Sequence, residues 1–267
     1  YGIVYQGVDV LSKQQVAIKQ IRSELVEDGI PGPILREIAI LKQIKHENII
    51  QLIKVIDDDN GLFLIFDYMQ FDLKKYQKQT ENIDNGQIKE IMRQLLTGVN
   101  YLQQSRIMHR DIKPSNVLIS CNDKSVHVKL ADFGLARGVG VPTKHYVNEV
   151  VTLWYRCPAL LLGYNQQINL DMWSVGCIFY ELLTGKILIQ AKNELDALKK
   201  IFNIFGFDEN WPELERLPNW NEEFQQSVPT PFNELLNTKN EEIIDLFSKM
   251  MKINPHERIS ANDALHH

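Results

Sequence analysis

One octet constrains this chain more than any other stretch: His109-Arg110-Asp111-Ile112-Lys113-Pro114-Ser115-Asn116. It follows a segment in which Ile88, Ile91, Leu95, Val99 and Leu102 recur at helical spacing, and it precedes the apolar run Val117-Leu118-Ile119. A polar run this dense between two apolar elements is a loop, and loops held on a scaffold carry sites. Any one of these residues alone fits a solvated turn. Together they offer a carboxylate that can accept or orient a hydroxyl proton, a cation two residues later, and an amide oxygen suited to a hard metal ion.

Two further motifs extend that chemistry. Asp132-Phe133-Gly134 follows the strand-like stretch Val126 to Leu130 and lies 21 residues after Asp111. One Asp, one Asn carbonyl and the phosphates of a nucleotide satisfy Mg²⁺, which takes hard oxygen ligands and keeps substrate oxygens in its shell. Val16-Ala17-Ile18-Lys19 reads as a strand, with Lys19 in the opposite phase to Val16 and Ile18. Glu37, on an expected helix 18 residues later, is the candidate partner for Lys19. The three motifs suit phosphoryl transfer, where positioning and electrostatics do most of the catalysis.

The texture of the chain changes near residue 67. Before it, strands are expected at Gly2 to Val10, Gln15 to Ile21, Gln51 to Ile56 and Leu62 to Phe66, with one helix at Ile34 to Ile44. After it, helices are expected around residues 88–102, at Asp171 to Leu183, Asn193 to Phe205 and Glu241 to Met251. The net charge of −5 and pI near 5.8 argue against a nucleic-acid partner. No apolar run is long enough to span a bilayer, so no membrane partner is expected. Cys121, Cys157 and Cys177 are too few for a disulfide framework and suit a reducing compartment, the cytoplasm or nucleus.

The ordered set Val16–Lys19, Glu37, His109–Asn116, Asp132–Gly134 and Asp171–Gly176 resembles a eukaryotic protein kinase over essentially the whole chain. The segment Gly29 to Ile38, with Glu149 to Arg156, is similar to cyclin-dependent kinases; a mitogen-activated kinase is the nearest rival. The resemblance implies an α+β, bilobal fold with a β-rich lobe (1–66), a hinge (67–71) and a larger helical lobe (72–267). It implies ATP and Mg²⁺ as cofactors, a cyclin as partner and proteins with Ser/Thr-Pro sites as substrates. Asp111 would orient the acceptor hydroxyl beside Lys113 and Thr152, and Asn116 and Asp132 would hold the metal. Lys19, held by Glu37, would fix the phosphates. Phe66 would back the adenine pocket, Asp67, Tyr68 and Met69 would form the hinge, Asp72 would face the ribose, and Val4, Ala17 and Leu118 would sandwich the ring. Val150, Val151 and Arg156 would form the pocket for a proline after the target residue. A cyclin-binding scaffold of weak activity and a small-molecule kinase are the competing readings.

The chain departs from the family pattern in three places. It opens at Tyr1-Gly2, where the family has a three-glycine loop, so a domain cut inside that loop, and slightly short at the other end, is expected; Tyr1 matches an inhibitory phosphorylation site. Val147 stands where the activating Thr is usual, which deprives Arg36, Arg110 and Arg137 of a phosphate; Thr143 lies four residues off register. Cys157-Pro158-Ala159 replaces Ala-Pro-Glu, so Arg258 lacks its usual Glu and another carboxylate or water is expected beside it. On that reading Ala159→Glu would raise the melting temperature. The residues that touch the reacting phosphate are all kept, which favours an active enzyme.

Overall fold

The computed structural model describes residues 2–21, 30–58, 61–80, 83–122, 125–138, 153–164, 169–226 and 228–267. Its elements run β1 (Gly2–Val8), β2 (Gln15–Ile21), α1 (Gly32–Gln43), β3 (Leu52–Asp58), β4 (Gly61–Asp67), β5 (Phe71–Asp72), α2 (Leu73–Gln79), α3 (Asn85–Gln104) and β6 (Ile107–Met108). They continue with β7 (Val117–Asn122), β8 (Ser125–Leu130), β9 (Arg137–Gly138), α4 (Pro158–Leu161), α5 (Leu170–Thr184), α6 (Glu194–Phe205), α7 (Phe232–Leu235), α8 (Glu241–Met250) and α9 (Ala261–Leu265). The class is α+β, with a small β-rich amino-terminal lobe and a larger, mostly helical carboxy-terminal lobe. By packing, the chain divides into two units: Tyr1–Glu81 with Pro114–Ala136, and Asn82–Lys113 with Arg137–His267.

In the first unit an antiparallel sheet has the order β1-β2-β4-β3. Alternation in β4 buries Leu62, Leu64 and Phe66 on one face. β1 stops at Val8, earlier than its apolar run suggests, because the Asp9 carboxylate accepts from the Leu11 and Ser12 amides and turns the chain. Helix α1 starts beyond Pro31 and carries Pro33 in its first turn, where a missing N–H is harmless. Its buried side chains are Ile34, Glu37 and Leu41, so a carboxylate sits within an apolar stripe. A second sheet has the order β5-β7-β8. Residues 48–50 join it by main chain: Ile50 N donates to Leu130 O, and Leu130 N to Asn48 O, both at 2.9 Å.

The second unit is built on helices. α3 opens with a capping box between Asp84 and Gln87 and buries Ile88, Ile91, Leu95, Val99 and Leu102, as its spacing predicts. In α5 every residue from Leu170 to Tyr180 is buried, and the helix ends at Gly185 in the left-handed conformation. Phe202 of α6 stacks on Phe224 with centroids 4.6 Å apart, and Trp220 meets both rings edge-on. Helix α2, which belongs to the first unit, has no counterpart in the sequence-based expectation; it is too short for periodicity and is announced only by its cap, Asp72, which accepts from the Lys75 amide.

Candidate active site

The first unit gathers the residues expected on the nucleotide side. Strand register places Val4 opposite Lys19 and Ala17 opposite Phe66. Ala17 and Lys19 are two residues apart, so these four share one face of the sheet. The Lys19 ammonium reaches both oxygens of Glu37, at 2.7 and 3.0 Å. Burial of Glu37 in the stripe of α1 leaves its carboxylate aimed at β2, and the fork fixes the long lysine side chain. Across β5-β7-β8, Asp72 lies opposite Leu118, and Leu118 opposite Lys129. Phe66 is buried, Leu118 and Asp67 are half-buried, and Val4 is 64% exposed. Asp72 also serves as the α2 cap, so one of its oxygens accepts from Lys75 N at 2.8 Å.

Asn116 and Asp132 are drawn together by main chain, since Ala131 N donates to Asn116 O at 2.9 Å. Asn116 is buried, and Asp132 takes a left-handed conformation (φ 67°), an uncommon state for a non-glycine residue. Phe133 behind it is fully buried, and Arg36 of α1 donates to Gly134 O at 2.9 Å, which ties the helix to this turn. Among the described residues no three His, Cys, Asp or Glu side chains group as a metal cage. One carboxylate and one amide oxygen are the kind of hard donors that a Mg²⁺ ion completed by phosphate oxygens would take.

The second unit holds the octet's first half. Lys113 Nζ lies 2.7 Å from Asp111 Oδ2, with both side chains mostly buried. The loop is pinned by Asp171 at the start of α5: Oδ2 accepts from His109 N and Oδ1 from Arg110 N, each at 2.8 Å. Arg110 sits at φ 68°, a strained state that these two charge-assisted bonds hold in place. His109 is fully buried, and its Nδ1 accepts from the Asp111 amide at 3.3 Å. Arg137 pairs with Met108 across β6–β9 and is buried. Asp171 stood out in the sequence only as part of a motif; its role was invisible because the amides it holds lie 61 and 62 residues upstream.

Three side chains in and just after the single 3₁₀ turn Leu153–Tyr155 are anchored. Trp154 Nε1 donates to Ala191 O at 2.9 Å, Tyr155 donates to Glu181 at 2.6 Å, and Arg156 meets Glu194 at 3.3 Å. Burial first, then Glu181, pushes the Tyr155 phenol well above its ordinary value, so it stays a donor. Neither Glu181 nor Glu194 was legible as a partner from spacing. Tyr1, Thr143, Val147, Val150, Val151 and Thr152 lie outside the described residues.

The expectation for Arg258 needs correction. No carboxylate or water is required beside it, because all five of its N–H donors are used. Nε and Nη2 donate to Lys252 O, Nη2 also to Ile253 O, and Nη1 to Asn169 O and to Cys157 Sγ at 3.2 Å. The guanidinium also lies over Trp173, 5.4 Å from the ring centroid. Ala159 is fully buried. The site is repacked around carbonyls, so the expected gain from Ala159→Glu is withdrawn.

Comparison with known proteins gives the family of the chain. The model of the protein kinase domain family matches residues 1–267. The chain is 42% identical over 273 aligned positions to the Cell division control protein 2 homolog 3 of Trypanosoma brucei brucei, covering 100% of this chain and 87% of that protein.

Proposed function

The chain belongs to the eukaryotic protein kinase family and is an ATP-dependent serine/threonine kinase of the cyclin-dependent type; from that premise we propose which of its residues carry the reaction, and on what substrate. The observation that carries the assignment is the closed, two-pronged Lys19–Glu37 pair, in the same packed unit as Asn116 and Asp132. Lys19 holds the α- and β-phosphates. Asn116 and Asp132 hold Mg²⁺, which neutralises charge on the transferring phosphoryl group when bound. Asp111 accepts the hydrogen bond of a Ser or Thr hydroxyl and takes its proton as the oxygen attacks the γ-phosphorus, the bond from that phosphorus to the bridging oxygen breaks, and ADP leaves with the bridging oxygen's electron pair. Lys113, already on the Asp111 carboxylate, offers a positive charge to the phosphoryl oxygens.

Ala17, Phe66 and Leu118 supply apolar surface for the adenine ring, and the main chain of Asp67 and Met69 supplies its hydrogen bonds. Val150, Val151 and Arg156 favour a proline after the target residue, because proline brings no N–H to leave unpaired. A cyclin is the proposed partner, docking on the segment from Gly29 to Ile38. Among the described residues no helix is long and apolar enough to cross a membrane.

The test is turnover of a Ser-Pro peptide by the full-length protein with a cyclin, beside Asp111→Asn. The variant is expected to lose at least about a thousandfold in kcat, in the range seen when a catalytic member is removed. Turnover absent in both would favour the scaffold reading, and equal turnover in both would remove Asp111 from the catalytic role.

A further inference from the structure

The two sheets of the first unit meet along residues 48–51. Asp67 N, at the end of β4, donates to Gln51 O at 3.2 Å, and Ile50 N donates to Leu130 O at 2.9 Å. One residue before Leu130 in β8, the Lys129 ammonium reaches back to Asp67 Oδ2 at 2.6 Å. The connections form a closed ring: Asp67 to Gln51, along the chain to Ile50, across to Leu130, back to Lys129, and through its ammonium to Asp67. Every link but the last is main chain. The ion pair is therefore the side-chain closure that resists sliding of the β4 end past β8.

What lies on either side of the ring matters. Asp67 opens the segment whose main chain meets the adenine edge. Lys129 stands opposite Leu118, the floor of the adenine site, and three residues before Asp132. We propose that the Asp67–Lys129 pair is a positioning device that sets the spacing between the adenine edge and the adenine floor, and so tunes nucleotide affinity. The inference rests on the nucleotide reading given above. Its side chains are 31% and 24% exposed, so the pair is screened and the effect is modest.

The experiment titrates N-methylanthraniloyl-ADP with Mg²⁺ into the full-length protein by fluorescence. Lys129→Met and Asp67→Asn are each expected to raise Kd about twofold to fivefold, the worth of a partly exposed ion pair. The double variant should be no worse than either single one, and the reversed pair, Asp67→Lys with Lys129→Asp, should recover most of the affinity. The melting temperature without nucleotide should move by no more than about 2 °C. Unchanged affinity in both single variants, or a reversed pair no better than they are, overturns the proposal. Asp132→Asn separates the two levels. Probe binding indifferent to Asp132→Asn, or absent in the wild type, overturns the nucleotide reading itself. Binding that needs Asp132 yet ignores Lys129→Met overturns only the positioning role.

Discussion

A glutamate at position 159 would compete for a guanidinium whose donors are all committed. Drawing Arg258 toward it would strip carbonyls of Lys252, Ile253 or Asn169 of their partner in a buried place. Each carbonyl left unpaired costs about 1–3 kcal/mol, and the new carboxylate loses its hydration as well. Ala159→Glu is therefore expected to lower stability by about 1–3 kcal/mol in urea titration; a rise would show that the carbonyl set yields readily. A second residue ties stability to pH. Burial lowers the His46 pKa, with Glu47 opposing, and its Nδ1 accepts the Asn48 amide at 3.1 Å. Only the neutral ring can accept there. The unfolded ring takes its proton near pH 6.5, so below that value the unfolded state binds more protons and stability falls as pH drops toward the folded value. His46→Asn, which keeps an acceptor and does not titrate, should narrow its stability gap to the wild type between pH 7.5 and pH 5. An equal gap at both would remove His46 from the acid limb.

At the scale of elements, α5 shows what periodicity can and cannot reveal. Its burial is legible, because apolar residues fill it from Leu170 to Leu183 apart from Asp171, Ser174, Gly176, Tyr180 and Glu181. What its polar side chains do is not legible, because their partners come from distant segments: Asp171 holds the His109 and Arg110 amides, Ser174 the carbonyl of Tyr155, and Glu181 its phenol. Asp171→Asn turns an NH₂ toward an amide N–H and leaves a strained loop residue without its clamp. Turnover should fall about tenfold to a hundredfold while nucleotide affinity stays within about twofold, a loss matching about 1–3 kcal/mol. Equal losses in turnover and nucleotide affinity would argue for general unfolding instead. The small residue in the middle of α5 has a packing reason: a Cβ on Gly176 would run into Met251 Sδ and crowd Met250 Cβ. Gly176→Ala should cost about 1–3 kcal/mol by overpacking, read as a lower urea midpoint with unchanged slope.

At the scale of the whole chain, linear order and packing part company. The motifs fall in order along the sequence, yet residues 114–136 pack with residues 1–81, so the chain passes between units at 81/82, 113/114 and 136/137. Periodicity is blind to this, since β7 and β8 read equally well as strands in either unit. The seam at residues 48–51 could not be foreseen either, because its donors and acceptors are main-chain groups that every sequence carries. The consequence is testable. Val117, Ile119, Val128 and Leu130 are each no more than 1% exposed, and all four belong to the later segment. Burying four such side chains contributes about 6–12 kcal/mol, as much as the whole stability of a typical domain. Without them residues 1–81 would also leave the Ile50 amide and the Asn48 carbonyl and amide short of the partners they have in β8. A fragment of residues 1–81 should therefore melt without a cooperative transition in circular dichroism. The same fragment mixed with a peptide of residues 114–136 should recover strand signal, because the missing ladder is then supplied in trans. A sharp transition in the fragment alone would mean that the first sheet and α1 carry a core of their own.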